Sequence, residues 1–92
     1  MTNDIFKYLR SRNYISFKPV ASVNDCMIDM TTRVDVVTDS ADVYEGAALL
    51  RIGRRTPPGQ NDSWIFAFGD IDNIDKAAIK CIDIIDKHVM PK

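Results

Sequence analysis

The sequence predicts an α+β domain: an antiparallel β-meander of three to four strands, with an N-terminal and a C-terminal helix on one face as a two-layer sandwich. Three observations predict it. Residues 28–37 alternate apolar and polar with period two, the pattern of a strand with one wet face. Residues 64–68, Trp-Ile-Phe-Ala-Phe, form an uncharged apolar run of strand length. Residues 69–90 then read as a capped, two-faced helix, stopped by Pro91 because the residue before proline avoids the α region.

Taken in order, Asn3 or Asp4 can cap a first helix running to Arg12, with Ile5, Phe6, Tyr8 and Leu9 as its apolar side. Arg10 and Arg12 suit its negative C-terminal end, and Asn13 suits its stop. So short a helix must dock. Residues 14–18 alternate as a short strand ended by Pro19, and residues 21–25 read as a loop. In the strand at 28–37, Ile28, Met30, Thr32, Val34 and Val36 share one face, and Asp29, Thr31, Arg33 and Asp35 the other. Asp39-Ser40-Ala41-Asp42 is a turn.

Residues 43–54 fit either a strand or a helix. As a strand they place Tyr44, Ala48, Leu50 and Ile52 on one face and Glu45, Ala47, Leu49 and Arg51 on the other. As a helix they have a cap at Asp39 or Ser40 and a stop at Gly53. Strand is favoured, because Gly46 sits mid-segment and a helical projection scatters the apolar residues all round. Residues 56–62 carry loop chemistry, Thr-Pro-Pro-Gly-Gln-Asn-Asp, long for a hairpin and expected to be mobile. The run at 64–68 belongs in a sheet covered on both faces or at an assembly interface.

In the last helix Asp72 is the expected N-cap, with Asp75 reaching back as a short capping box. At about 100° per residue, Ile71, Ile74, Ala77, Ala78, Cys81, Ile82, Ile84, Ile85 and Val89 make one broad apolar face. The opposite face divides by sign: Asp72, Asp75, Asp83 and Asp86 form one stripe, and Lys76, Lys80 and Lys87 the next. Asp72–Lys76 and Asp83–Lys87 are i,i+4 pairs in the better orientation, worth ~0.3 kcal/mol each. Ile79 projects from the middle of the acidic stripe, where the helix itself needs no apolar group.

Ninety-two residues bound a single domain that can bury a core with little stability to spare. Net charge is −1, from 12 basic and 13 acidic residues. That balance argues against a nucleic-acid binder, which needs a basic surface, and against a heavily acidic mimic of nucleic acid. Twelve of the thirteen acids are Asp, a residue suited to turns and caps. No apolar run approaches the ~20 residues of a membrane span. No basic-then-apolar leader opens the sequence, so a cytoplasmic protein is expected, with Cys26 and Cys81 as reduced thiols and Cys81 on the buried helix face.

No catalytic, cofactor or metal signature stands out. The single histidine, His88, lies near the end of the last helix and reads as a dipole partner rather than as part of a triad. Asp70, Asp72, Asn73 and Asp75 fail as a calcium loop. Ile74, Asp75 and Cys81 stand where an oxygen ligand, the turn glycine and the bidentate acid are required. Arg51, Arg54 and Arg55 cluster beside a Pro-Gly loop, but no glycine-rich loop opens a helix there to build a phosphate site.

The second half has a distinctive order. A strand ends in Gly53-Arg54-Arg55-Thr56-Pro57-Pro58; a loop follows, then the strand at 64–68, Asp70, Asp72 and the long amphipathic helix. With the opening Asp4-Ile5-Phe6-Lys7-Tyr8-Leu9-Arg10-Ser11, this resembles the small tail-terminator or minor-capsid proteins of tailed phages. The likeness covers residues 4–12 and 48–90; residues 28–49 have no counterpart in it. The resemblance implies a ring-forming structural subunit without catalysis or cofactor.

The expected function is therefore a non-catalytic, phage-type structural or assembly subunit, acting through contacts with itself or a protein partner in the host cytoplasm or the virion. Asp72, Asp75, Asp83 and Asp86, with Ile79, would meet Arg51, Arg54 and Arg55 of the next subunit. The alternative is a small phage or mobile-element inhibitor, anti-CRISPR, anti-defence or immunity-like, that blocks a basic site on a host protein through the same acidic face. No nucleic-acid or membrane partner is expected, and no enzyme activity, since no acid–base or nucleophile pair is visible.

Overall fold

A computed structural model describes residues 5–6, 9–11, 15–38, 40–56 and 59–89. The chain is α+β: an antiparallel sheet followed by a C-terminal helix. The strands are β1 (Ile5–Phe6), β2 (Leu9–Ser11), β3 (Lys18–Val23), β4 (Cys26–Thr38), β5 (Val43–Thr56) and β6 (Gln60–Phe68). The helix α1 (Ile74–Ile84) runs into a π-helical turn at Ile85–Val89. Sheet order is β1-β6-β5-β4-β2, and β3 shares the outer side of β4 with β2.

The meander expected from the alternating and apolar runs is present as β4, β5 and β6. The segment at 43–54 is strand, as its mid-segment glycine argued. The 56–62 loop, however, is mostly ladder. Thr56 pairs with Gln60, Arg55 with Asn61 and Arg54 with Asp62. Only residues 57–59 connect the strands, and Pro57 and Pro58 lie outside the described residues.

The first helix is not seen. Its described residues pair as strands, Ile5 with Ala67 and Leu9 with Thr38. A helix this short has little stability of its own, whereas the edges of β6 and β4 offer unpaired backbone groups that a strand satisfies. Its expected caps, Asn3 and Asp4, and its stop, Asn13, lie outside the described residues. The short strand is also displaced. Residues 15–17 are irregular, and the strand runs Lys18–Val23 through Pro19 and Ala21. Pro19 is tolerated because β3 is an edge strand, with an irregularity beside it. Asn24 and Asp25 both have positive φ, 49° and 62°, which makes the two-residue primed turn that returns β3 into β4.

The alternation of β4 does not keep one face. Ile28 and Met30 lie opposite Ile52 and Leu50, and pack with the cluster under α1. Val34 and Val36 belong to a second cluster, with Ala47, Leu49 and Ala67. The register explains the switch. It slips between Thr31 and Val34, where Arg33 takes φ 60°, and slips back before Val36, where Gly46 of β5 takes φ 65°. Two opposed bulges thus restore the register but exchange the faces. Tyr44 follows the second cluster for the same reason, away from Leu50 and Ile52. Gly46 N–H donates to Asp35 Oδ1 at 3.1 Å, tying the two bulges together.

The sheet is strongly curled. In a flat sheet β1 and β2 would stand four strand spacings apart, ~19 Å. Phe6 and Leu9 are three residues apart, a reach of at most ~11 Å. The edges of β6 and β4 must therefore approach one another, and the second cluster fills the hollow between them, with no helix over it among the described residues. Ile15 and Phe17 pack against that cluster. The sequence expectation of two helices on one face is replaced by α1 on one face and Ile15 and Phe17 on the other. The apolar run of β6 serves both faces, Phe66 and Phe68 under α1 and Ile65 and Ala67 opposite.

Candidate functional site

The outer face of α1 is built by its cap. Asn73, not Asp72, caps the helix: its Oδ1 accepts from Lys76 N–H at 3.0 Å, and its backbone oxygen accepts from Ala77 N–H at 3.0 Å. Asn and Asp are equivalent caps by propensity. The choice falls to packing, because Ile74 begins the helix and lies against the core. Asp72 is therefore outside the helix, and the expected Asp72–Lys76 pair is not a helical one. Asp75 remains in the first turn, where its charge suits the helix dipole.

Ala78, Cys81, Ile82 and Ile85 are buried under α1, and Ile71, Ile74, Ala77 and Ile84 are packed at its margin, as the projection required. The side chain of Val89, together with Pro91, lies outside the described residues. On the outer side Asp72, Asp75 and Asp83 are exposed, and Ile79 is 51% exposed among them. Lys87 Nζ lies 3.2 Å from Asp83 Oδ2, the expected i,i+4 pair.

Asp86 stands apart. It lies on the π-helical turn, and its Oδ1 accepts from Arg54 Nη1 at 2.6 Å. Arg54 Nε also donates to Cys26 Sγ at 3.4 Å. These contacts hold the Arg54 pKa above its ordinary value, the Asp86 hydrogen bond contributing most and Cys26 next, against a smaller opposing effect of burial. Arg51 is used on the other face. Its Nε and Nη2 both donate to Asp29 Oδ2, at 3.0 and 2.7 Å, and its guanidinium lies 4.4 Å over the Phe17 ring.

The three arginines therefore do not form one patch. Arg51 ties the N-terminal segment to one sheet face, Arg54 ties the end of α1 to the other, and Arg55 is exposed. Sequence reasoning missed both internal pairs because their partners are 22 and 32 residues away. It also missed Met27, which is 65% exposed beside a groove of about 400 Å³ lined further by Gly53, Arg55, Asn61 and Ser63. Carrying the alternation of β4 one residue back from Ile28 would have put Met27 on the outer side.

Cys26 and Cys81 are both buried free thiols. His88 is exposed on the π-helical turn. Among the described residues, no three His, Cys, Asp or Glu side chains are grouped to hold a metal, and no helix is long and apolar enough to cross a membrane. Compared with known proteins, the chain matches no family model, no curated protein and no solved structure.

Proposed function

We propose that the chain is a non-catalytic, phage-type structural or assembly subunit, tail-terminator or connector-like, that works through protein–protein contacts made by the outer face of α1. The observation that carries this reading is Ile79, a large apolar side chain half in water, with the exposed Asp75 and Asp83 one helical turn to either side of it. An apolar anchor ringed by charge is the pattern of a contact whose centre is dehydrated and whose rim sets orientation. Behind it the architecture is read as a two-layer sandwich of sheet on helix, in which α1 is both core element and contact surface. The subunit would act in the host cytoplasm or the virion, with no nucleic acid or membrane in its contacts.

Light scattering across a concentration series, in low and high salt, tests the reading. A subunit that assembles through this face gains mass with concentration, loses it at high salt, and loses it when Ile79→Asp is introduced. A mass that Ile79→Asp leaves unchanged would refute the role of this face.

A second reading, a small inhibitor of a host protein, is favoured by one observation. Arg51 and Arg54 are matched within the chain, so the acidic face has fewer arginines to meet on another copy. It would then meet a basic surface elsewhere. A salt-indifferent monomer that captures a host protein, and loses it on Ile79→Asp, would select this reading.

A further inference from the structure

Met27 stands on the sheet face opposite α1, in a row that crosses three strands. Met27 pairs in register with Gly53, and Gly53 with Ser63. No side chain rises from the middle of that row, so the exposed thioether lies over an open floor. A Cβ added at Gly53 would come no closer than 3.7 Å to anything, which means that the space above it is real. In the next row Arg55 faces Asn61, a neutral residue, so no carboxylate stands across the ladder from its charge. Asp25 lines the end of the groove at the β3–β4 turn.

The outer face of α1 has the complementary form. Ile79 projects with Asp75 and Asp83 one turn before and after it, ~6 Å to either side. Lys76, three residues before Ile79, borders the acids. The helix face thus offers an apolar plug with Asp75, Asp83 and Lys76 beside it, Asp83 also meeting Lys87. The groove, which Arg54 and Asp62 line as well, offers an apolar wall, an open floor, Arg55 and Asp25.

The geometry points to a second copy of this chain as the occupant of the groove. Ile79 of one copy seats against Met27 and over Gly53 of the next, Arg55 meets Asp75 or Asp83, and Asp25 meets Lys76. The inference rests on the assembly reading and deepens it by naming the receiving surface. It also replaces the arginine cluster expected from the sequence with Arg55 alone. Because two different patches meet, the contact is heterologous, and each copy carries one plug and one socket.

Sedimentation or light scattering on the full chain tests this with Ile79→Asp and Met27→Asp. Both side chains are exposed, so the variants should melt as the parent does; Met27→Ser and Ile79→Ser replace them if they do not. Each variant alone should weaken assembly by about tenfold or more. An equimolar mixture should form a heterodimer and nothing larger, since only the plug of the Met27→Asp chain and the socket of the Ile79→Asp chain remain intact. A mixture that stays monomeric would show that the two patches do not meet. If Met27→Asp assembles like the parent while Ile79→Asp does not, the socket is wrong and the assembly reading survives. If the parent chain is monomeric at every concentration, the inference and the self-assembly reading fall together.

Discussion

Replacing Gly46 by alanine probes the device that gives this sheet two cores. Gly46 holds φ at 65°, and a Cβ built there meets nothing within 4 Å. The cost of alanine is thus a backbone cost. Holding an L-residue in the left-handed region costs ~1–2 kcal/mol. Alanine also restricts the unfolded chain, which returns ~0.4–1 kcal/mol. The net expectation for Gly46→Ala is a loss of about 1 kcal/mol, or ~4–8 °C in Tm for a domain of this size. Gly46→Asn should lose less, because asparagine tolerates that region. Urea unfolding followed by circular dichroism, with matching thermal melts, measures both. An unchanged or raised midpoint in Gly46→Ala would refute the bulge. So would a loss above ~3 kcal/mol, which requires a clash that the open space excludes. The partner bulge predicts the opposite sign: Arg33, at φ 60°, should gain up to ~1 kcal/mol as Arg33→Gly.

Three further expectations follow from the same geometry. Leu49→Ala and Ile52→Ala remove fully buried side chains from opposite faces, so each should cost ~2–5 kcal/mol in urea unfolding; a loss under ~1 kcal/mol at Leu49 would mean that its face is open to water. Asn73→Ala should cost ~1 kcal/mol and Asp72→Ala less than ~0.5 kcal/mol, and the reverse ranking would return the cap to Asp72. Arg54→Ala should cost about 1 kcal/mol, the scale of a partly exposed ion pair, and less in concentrated salt. Since the pKa of Arg54 is raised, its contribution is complete below the ordinary arginine value and fades only as pH rises through the raised one. The penalty should therefore match at about pH 6 and about pH 9, and a penalty that vanished by pH 9 would contradict the assignment.

The parts of the fold legible in the sequence were those where one segment carries its own pattern. The helix after Asp70 declared its apolar face, and the residues under α1 are the ones its projection named. Trp64 to Phe68 declared a strand, covered on both faces or at an assembly interface, and Gly46 told against a helix at 43–54. The acidic stripe was legible as exposed charge, and Ile79 as an exposed apolar side chain. The groove beside Met27 was not, because Met27, Gly53 and Arg55 come together only through the register of β4, β5 and β6.

Local patterning thus determined the strands β4, β5 and the apolar part of β6, the C-terminal helix, the inner face of α1 and the chemistry of its outer face. These depend on side chains three or four residues apart on a helix, or two apart on a strand, which the sequence places by itself. Tertiary structure decided the rest. It made strands of Ile5–Phe6 and Leu9–Ser11, because two sheet edges needed partners. It exchanged the faces of β4, because bulges at Arg33 and Gly46 reverse an alternation that has no mark of reversal in the residues between Met30 and Val36. It also spent Arg51 and Arg54 on Asp29 and Asp86, because a charge meets whichever opposite charge the fold brings within reach, and sequence distance says nothing about that reach.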